Sequence, residues 1–239
     1  MALVDAAANT GADAVKFQLY RWEDIVTVPG AQDPRFELPP DWVPELAERA
    51  HSLGMDFLCT PFAPWAVEAL RPYVGAWKIA SFEALRPDLF LATDDKVRII
   101  SIGMITEEER MDLMALCPYD IFLHCVSSYP VRLKSSGLWR MKRLARRHHR
   151  IGISDHTTGW ESVVSAVTMG ARTIEKHIRL KNQPPSPDNG PWALRPARFK
   201  KMVKAIRAVQ ASMDLPYPSR PTKLPEYEGR KVHWGRKGG

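Results

Sequence analysis

The chain has 239 residues, 45% of them hydrophobic, and a formal net charge of +7 at pH 7, enough for a full core in one large domain or two small ones. No apolar run reaches the ~20 residues that a membrane span needs, and MALVDAAANTGADAVKFQ has neither the basic start nor the unbroken apolar stretch of a signal peptide. The positive charge is local: residues 195–239 hold twelve Lys/Arg and three Asp/Glu, a balance of +9, which leaves −2 for residues 1–194.

In chain order, residues 2–10 read as a helix stopped by Gly11, followed by the strand AVKFQ (14–18). A long loop leads to a helix over 42–53, with Asp41 as N-cap and Gly54 as its C-terminal signal. Then come the strand MDFLC (55–59), a helix near 64–71, the strand AWKIA (76–80), a short helix near 86–93 and the strand VRIIS (97–101). Thr106 and Glu109 form a capping box for a helix over 107–116. The strand DIFLHC (120–125), a helix over 137–148, the strand RIGIS (150–154), a helix over 159–169, the strand RTIEKH (172–177) and a helix over 196–212 complete the pattern.

These strands are short and almost continuously apolar, as strands buried on both faces must be. Each is followed by a helix, so the connections are crossovers and the sheet is parallel. Seven such strands favour a closed α/β barrel of the TIM type over an open sheet, and no GxGxxG supports a dinucleotide fold. The chain opens on a helix, so an eightfold barrel over residues 1–213 is expected to lack its first strand. Prolines 216, 218, 221 and 225 mark residues 214–239 as an extended, partly disordered basic tail.

Cys59, Cys117 and Cys125 form no CxxC pair, which fits reduced thiols in a cytoplasmic protein; Cys59 and Cys125 lie in apolar runs and are expected to be buried. The basic run Arg140 to Arg150 reads as a solvated helix face. No nucleic-acid-binding motif accompanies it, so nucleic acid is not an expected partner.

In a parallel barrel the active site lies at the C-terminal ends of the strands. Here those ends carry Lys16 and Gln18, Thr60, Lys78 with Ser81 and Glu83, Ser101, Ser127 with Tyr129, Ser154 with Asp155 and His156, and Glu175 with Lys176 and His177. Singly, a strand-end hydroxyl caps the next helix and a lysine snorkels to water. Together, two lysines and a ring of hydroxyls around one mouth suit a small, highly charged phosphate ester. His156 and His177 follow successive strands. They can share a metal with positions left open for water and substrate, or serve as hydrogen-bonded structural residues. His124, inside a strand, reads as structural.

The segments GADAVKFQ, FLCTPF, KIAS, SIGM, LHCVSSYP, IGISDHT, GARTIEKHI and PSPDNG follow the order and spacing of the N-acetylneuraminate (sialic acid) synthase family. The chain resembles that family over roughly residues 1–213. Relatives in the group make pseudaminic or legionaminic acid or serve spore-coat polysaccharide synthesis. The resemblance implies condensation of phosphoenolpyruvate with an N-acetylated amino-sugar aldehyde such as N-acetylmannosamine, giving a nonulosonic acid and phosphate. It implies that Lys16, Thr60, Lys78, Ser81, Ser101 and Ser154 hold the phosphate and carboxylate of phosphoenolpyruvate. His156 and His177 match ligands of a divalent metal, manganese first, with magnesium or cobalt as alternatives. Gln18, Tyr129 and Asp188 match positions that contact the sugar, and Glu83 matches a carboxylate beside the reacting carbons. Ser127 occupies a site position where the family usually has asparagine. Ile102, Asn189 and Phe82 depart from its usual threonine, histidine and small residue. Set against the family, residues 1–239 are expected to lack its first strand and its C-terminal antifreeze-like domain. Two rival readings are a Schiff-base aldolase and a degenerate barrel that binds a ligand or partner without turnover. A barrel with an open edge is also expected to self-associate as a homo-oligomer or to need a segment supplied from elsewhere.

Overall fold

Strand and helix alternate throughout the computed structural model, which describes residues 1–25, 34–183 and 186–213. The expected tail 214–239 lies outside the described residues. The order is α1 (Ala2–Ala8), β1 (Ala14–Leu19), α2 (Val43–Ser52), β2 (Asp56–Pro61), α3 (Pro64–Leu70), β3 (Trp77–Ile79), α4 (Pro87–Ala92) and β4 (Arg98–Ser101). It continues with α5 (Glu107–Leu116), β5 (Ile121–Cys125), α6 (Leu138–Ala145), β6 (Ile151–Asp155), α7 (Glu161–Thr168), β7 (Thr173–Lys176) and α8 (Pro196–Met213).

All strand pairings among the described residues are parallel: β1 pairs with β2, and β3 to β7 form a second ladder in chain order. β2 and β3 run side by side and join the two ladders into one curled wall. Helices cover its outer face, so the wall is an α/β barrel-like layer. The core falls into clusters spread around the wall. Phe57, Trp77 and Leu70 are fully buried with α1, α2 and α3, while Ile100, Phe122 and Ile151 are fully buried with α5, α6 and α7. Among the described residues no strand pairs with the outer edge of β1 or of β7.

Local chemistry accounts for the element ends. The capping box at α5 forms as expected: Thr106 Oγ1 accepts from the Glu109 amide at 3.2 Å, and Glu109 Oε2 accepts from the Thr106 amide at 2.7 Å. Gly11 and Gly54 take φ of 82° and 73°, the left-handed conformation that closes a helix. Asp41 does not cap α2. It lies inside a 3-10 turn, Pro40–Trp42, and Trp42 occupies the N-cap position without a side-chain bond. Pro44, second in the helix, removes one of the amide donors that a cap would satisfy.

Cys59 and Cys125 are buried, and His124 Nε2 is 2.8 Å from the Ser136 carbonyl oxygen, the structural role expected for it. On the basic run, Arg140 and Arg143 lie over the exposed Trp139 ring, and Arg143 is 3.5 Å from Glu107, as on a solvated face. No helix among the described residues is long and apolar enough to cross a membrane.

Candidate active site

Side chains alternate across a strand, so each barrel strand sends one set inward and one toward the helices. In β3, between the buried Trp77 and Ile79, the inward residue is Lys78, itself only 2% exposed. Its Nζ donates to Ser101 Oγ at 2.8 Å and to the Ile79 carbonyl at 2.9 Å, and lies 3.9 Å from Glu175 Oε2. Glu175 Oε1 accepts from Ser154 Oγ at 2.8 Å, and Ser154 Oγ is 3.4 Å from His156 Nε2. A continuous polar chain therefore crosses the mouth from β3 and β4 to β6 and β7.

The histidines come next along it. The His156 and His177 ring centroids are 5.4 Å apart. His156 Nδ1 lies 2.9 Å from the Val126 carbonyl oxygen, and His177 Nδ1 lies 3.1 Å from the Asp188 carbonyl oxygen. A carbonyl oxygen only accepts, so each Nδ1 carries the proton and each Nε2 presents a lone pair. That is the tautomer a metal-binding imidazole needs. Burial, reinforced by His177, pushes His156 down to about 4, and burial also lowers His177, so both rings are neutral at pH 7. The pair fits a divalent ion held by two protein ligands. Among the described residues no cluster of three His, Cys, Asp or Glu suited to a metal exists, so such an ion would keep its other positions for water or substrate.

Around this pair Gln18, Tyr129 and Asp188 gather. Asp188 Oδ2 accepts from Gln18 Nε2 at 2.5 Å, which ties β1 to the loop after β7. Tyr129 sits with its ring centroid 4.2 Å from that of His156 and 5.4 Å from that of Trp192, just before a cis Tyr129–Pro130 bond. On the opposite side Ser81 Oγ is 3.0 Å from Cys125 Sγ and accepts from the Gly103 amide at 3.1 Å; Ser127 Oγ is 4.0 Å from Cys125 Sγ. Gly103 is required there, since a Cβ would fall 2.5 Å from Cys125 Sγ. Thr60 Oγ1 and Glu83 Oε2 are buried with no hydrogen-bond partner among the described residues. Lys16 contributes charge toward Glu175, Lys78 and Cys59.

The two carboxyls of the mouth differ. Burial pushes Glu83 up to about 7, against the pull of Arg86 and Lys78. Burial also opposes the charge on Glu175, but Lys78, Lys16 and the Ser154 hydroxyl outweigh it and hold that carboxyl down to about 2. For Lys78 burial outweighs Glu175, and its ammonium is pushed below the usual lysine range.

Two of the strand-end residues are misplaced by the sequence reading. Asp155 and Lys176 do not face the mouth; they bond to each other and to Ser162 and Thr157 on the helix side. Glu175, by contrast, sits at the centre of the polar chain; the sequence places it among the polar strand ends but gives it no role in binding or catalysis. The signal available for it was strand alternation, which puts it on the same face as His177. The hydroxyls at the strand ends are not the caps of the helices that follow: Ala63, Arg86, Gly137 and Trp160 occupy the N-cap positions of α3, α4, α6 and α7, and Thr106 caps α5.

A cavity of about 1570 Å³ runs along the open side between β1 and β7 and reaches Lys16, Gln18, Lys78, Glu175, His177 and Asp188. A sequence model of the NeuB family matches residues 3–215. The chain belongs to the NeuB family. Within it, the chain is 33% identical over 236 residues to pseudaminic acid synthase of Campylobacter jejuni, covering 88% of this chain and 68% of that protein. It is 33% identical over 235 residues to N,N'-diacetyllegionaminic acid synthase of Legionella pneumophila, covering 86% of this chain and 66% of that protein. Its fold is similar to that of the N-acetylneuraminic acid synthetase of Leptospira borgpetersenii solved with citrate: TM-score 0.83, 26% identity, 99% of this chain and 86% of that one. This NeuB-family chain thus spans about two thirds of the length of these two synthases.

Proposed function

We propose that the site condenses phosphoenolpyruvate with an N-acetylated amino-sugar aldehyde to give a nonulosonic acid and phosphate. The observation that carries the reading is the single polar chain from Lys78 and Ser101 through Glu175 and Ser154 to the neutral His156–His177 pair. Lysine charge and hydroxyl donors suit the phosphate and carboxylate of the donor, with Lys16, Thr60 and Ser81 completing the cradle. Gln18, Tyr129 and Asp188 suit the hydroxyl-rich acceptor, and Ser127, its hydroxyl 4.0 Å from Cys125 Sγ, is a further substrate-binding candidate. A divalent ion, manganese first, would be held by His156 and His177 and would supply Lewis-acid polarisation of the aldehyde oxygen.

In the reaction, C3 of phosphoenolpyruvate attacks the aldehyde carbon, and the carbonyl oxygen of the sugar takes up a proton; overall that proton is one of the two carried by the water that adds at C2, handed on through Glu83, and the other leaves with the phosphate. The cation that develops at C2 adds water, whose proton passes to Glu83, a carboxyl poised near neutrality. The tetrahedral centre then expels phosphate with C–O cleavage and becomes the keto acid. Lys16 and Lys78 offset anionic charge at each stage. The test is phosphate release with phosphoenolpyruvate, manganese and a panel of amino-sugars that includes N-acetylmannosamine. No release with any of them, under conditions in which both ligands bind, would sink the reading.

One observation favours a second chemistry. Lys78 is a buried lysine held below its usual pKa, the state in which an amine forms imines. If pyruvate protects the protein as well as phosphoenolpyruvate does, and borohydride traps it on Lys78, the site is a Schiff-base aldolase.

Among the described residues the outer edges of β1 and β7 have no strand partner. Both strands carry site residues, so turnover by these 239 residues alone is expected to be weak.

A further inference from the structure

We infer that the buried Lys176–Asp155 pair, on the outside of the barrel wall, is the device that sets the His156 and His177 side chains against one another. The inference rests on the proposed metal site and adds two positioning residues to it.

Asp155 and Lys176 are Cα partners across β6 and β7, one step after the inward pair Ser154 and Glu175. Each immediately precedes one of the two histidines in sequence. Their side chains are 2% and 0% exposed, and Lys176 Nζ lies 2.5 Å from Asp155 Oδ2. The same Nζ donates to the Thr157 carbonyl at 2.5 Å. The residues on both sides of His156 are therefore bonded to one ammonium, and that ammonium belongs to the residue next to His177. The carboxylate is bonded in turn. Asp155 Oδ1 accepts from Ser162 Oγ in the first turn of α7 at 2.6 Å, and Asp155 Oδ2 accepts from Thr157 Oγ1 at 2.9 Å. The Thr157 amide adds a longer contact to Oδ1 at 3.4 Å.

A buried ion pair is a poor source of net stability, because desolvation of two charges offsets their attraction; apolar residues of similar volume often serve as well. What such a pair does supply is geometry. A ligand set for a shared ion must be held to within about 0.5 Å, and a one-residue slip between β6 and β7 would turn one imidazole to the helix side. The pair lies on the far side of the wall from the mouth, so it acts on the imidazoles through the backbone and touches neither substrate nor ion.

The test uses the full chain. In Asp155→Asn/Lys176→Met the charges leave together and the volumes are kept. Manganese affinity, read by direct titration, is expected to fall about 10- to 100-fold. The thermal shift given by phosphoenolpyruvate without metal, which draws on Lys78 and Ser101 across the mouth, should stay within about twofold, a split that general destabilisation does not produce. Ser162→Ala, a smaller change that removes one donor from Asp155, should weaken manganese several-fold and decides the matter if the double variant fails to fold. Wild-type manganese affinity in a folded double variant, or in Ser162→Ala where the double variant does not fold, overturns the inference and leaves the metal site standing. Loss of manganese and phosphoenolpyruvate binding together would make the pair a general support and also overturn it. A wild-type chain that binds no manganese removes the metal site and this inference with it.

Discussion

Glu83 offers the sharpest test of the electrostatics. Its carboxyl is pushed up from 4.5 to about 7 by burial, and its Oε2 has no hydrogen-bond partner among the described residues. A folded-state pKa above the unfolded one means that the folded protein binds the proton more tightly. The associated stability is fully present below pH 4.5 and is lost as pH rises to about 7. The whole shift corresponds to about 3 kcal/mol, of which about 2 to 3 kcal/mol falls between pH 5 and pH 8. Glu83→Gln copies the protonated form and cannot titrate. Urea unfolding of both proteins at pH 5, 6, 7 and 8 isolates the group, because every other titration cancels in the difference. The wild type should lose about 2 to 3 kcal/mol relative to the variant across that range. A pH-independent difference would show that Glu83 titrates as an ordinary carboxylate, and the role given to it as proton acceptor near neutrality would go with it.

Changing both His156 and His177 to Ala should abolish manganese binding in a direct titration; unchanged affinity would remove the site. Lys78→Ala should weaken phosphoenolpyruvate about 10- to 100-fold in a thermal-shift titration, the range for a charge-assisted hydrogen bond. Glu175→Gln leaves Lys78 buried without its counter-charge and should cost about 3 kcal/mol at pH 7. Since Glu175 is held down to about 2, its contribution is present above pH 4.5 and fades as pH falls toward 2, so the gap between wild type and variant should close in acid. Light scattering on residues 1–239 should reveal self-association, with weak phosphate release; robust turnover by a monomer would show that the open edge is tolerated.

Much of the fold is legible because a parallel barrel repeats one local rule: a short apolar strand, then a helix. Every strand expected from the sequence forms within a residue or two of its place. What fails is the local detail that depends on neighbours. Asp41 has the residue type of an N-cap, but Pro40 begins a 3-10 turn before it and Pro44 withholds an amide behind it. The site divides in the same way. Residues that end strands, such as Lys78, Ser154 and His177, announce themselves by polarity in an apolar run. Contacts across the fold do not: Gln18 meets Asp188 across 170 positions, and nothing at either end marks the pairing. Glu175, Lys176 and His177 read as one polar cluster, and only the pleat separates the inward Glu175 and His177 from the outward Lys176.

The two carboxyls of the mouth show how position divides labour between identical functional groups. Glu83 has burial without a bonded cation, and its carboxyl rises to about 7. Glu175 has comparable burial but lies beside Lys78 and accepts from Ser154, and it falls to about 2. A group that stays ionised at every working pH holds a fixed charge; it can keep Lys78 in place but cannot carry a proton. A group that titrates near 7 can carry one but cannot serve as a permanent counter-ion. These surroundings are what the proposed assignment of Glu83 to proton transfer and of Glu175 to the alignment of Lys78 rests on. Exchanging those surroundings, by Lys78→Met for instance, removes the main charge holding Glu175 down, so its carboxyl should rise while Glu83, which loses only a minor pull, should move little.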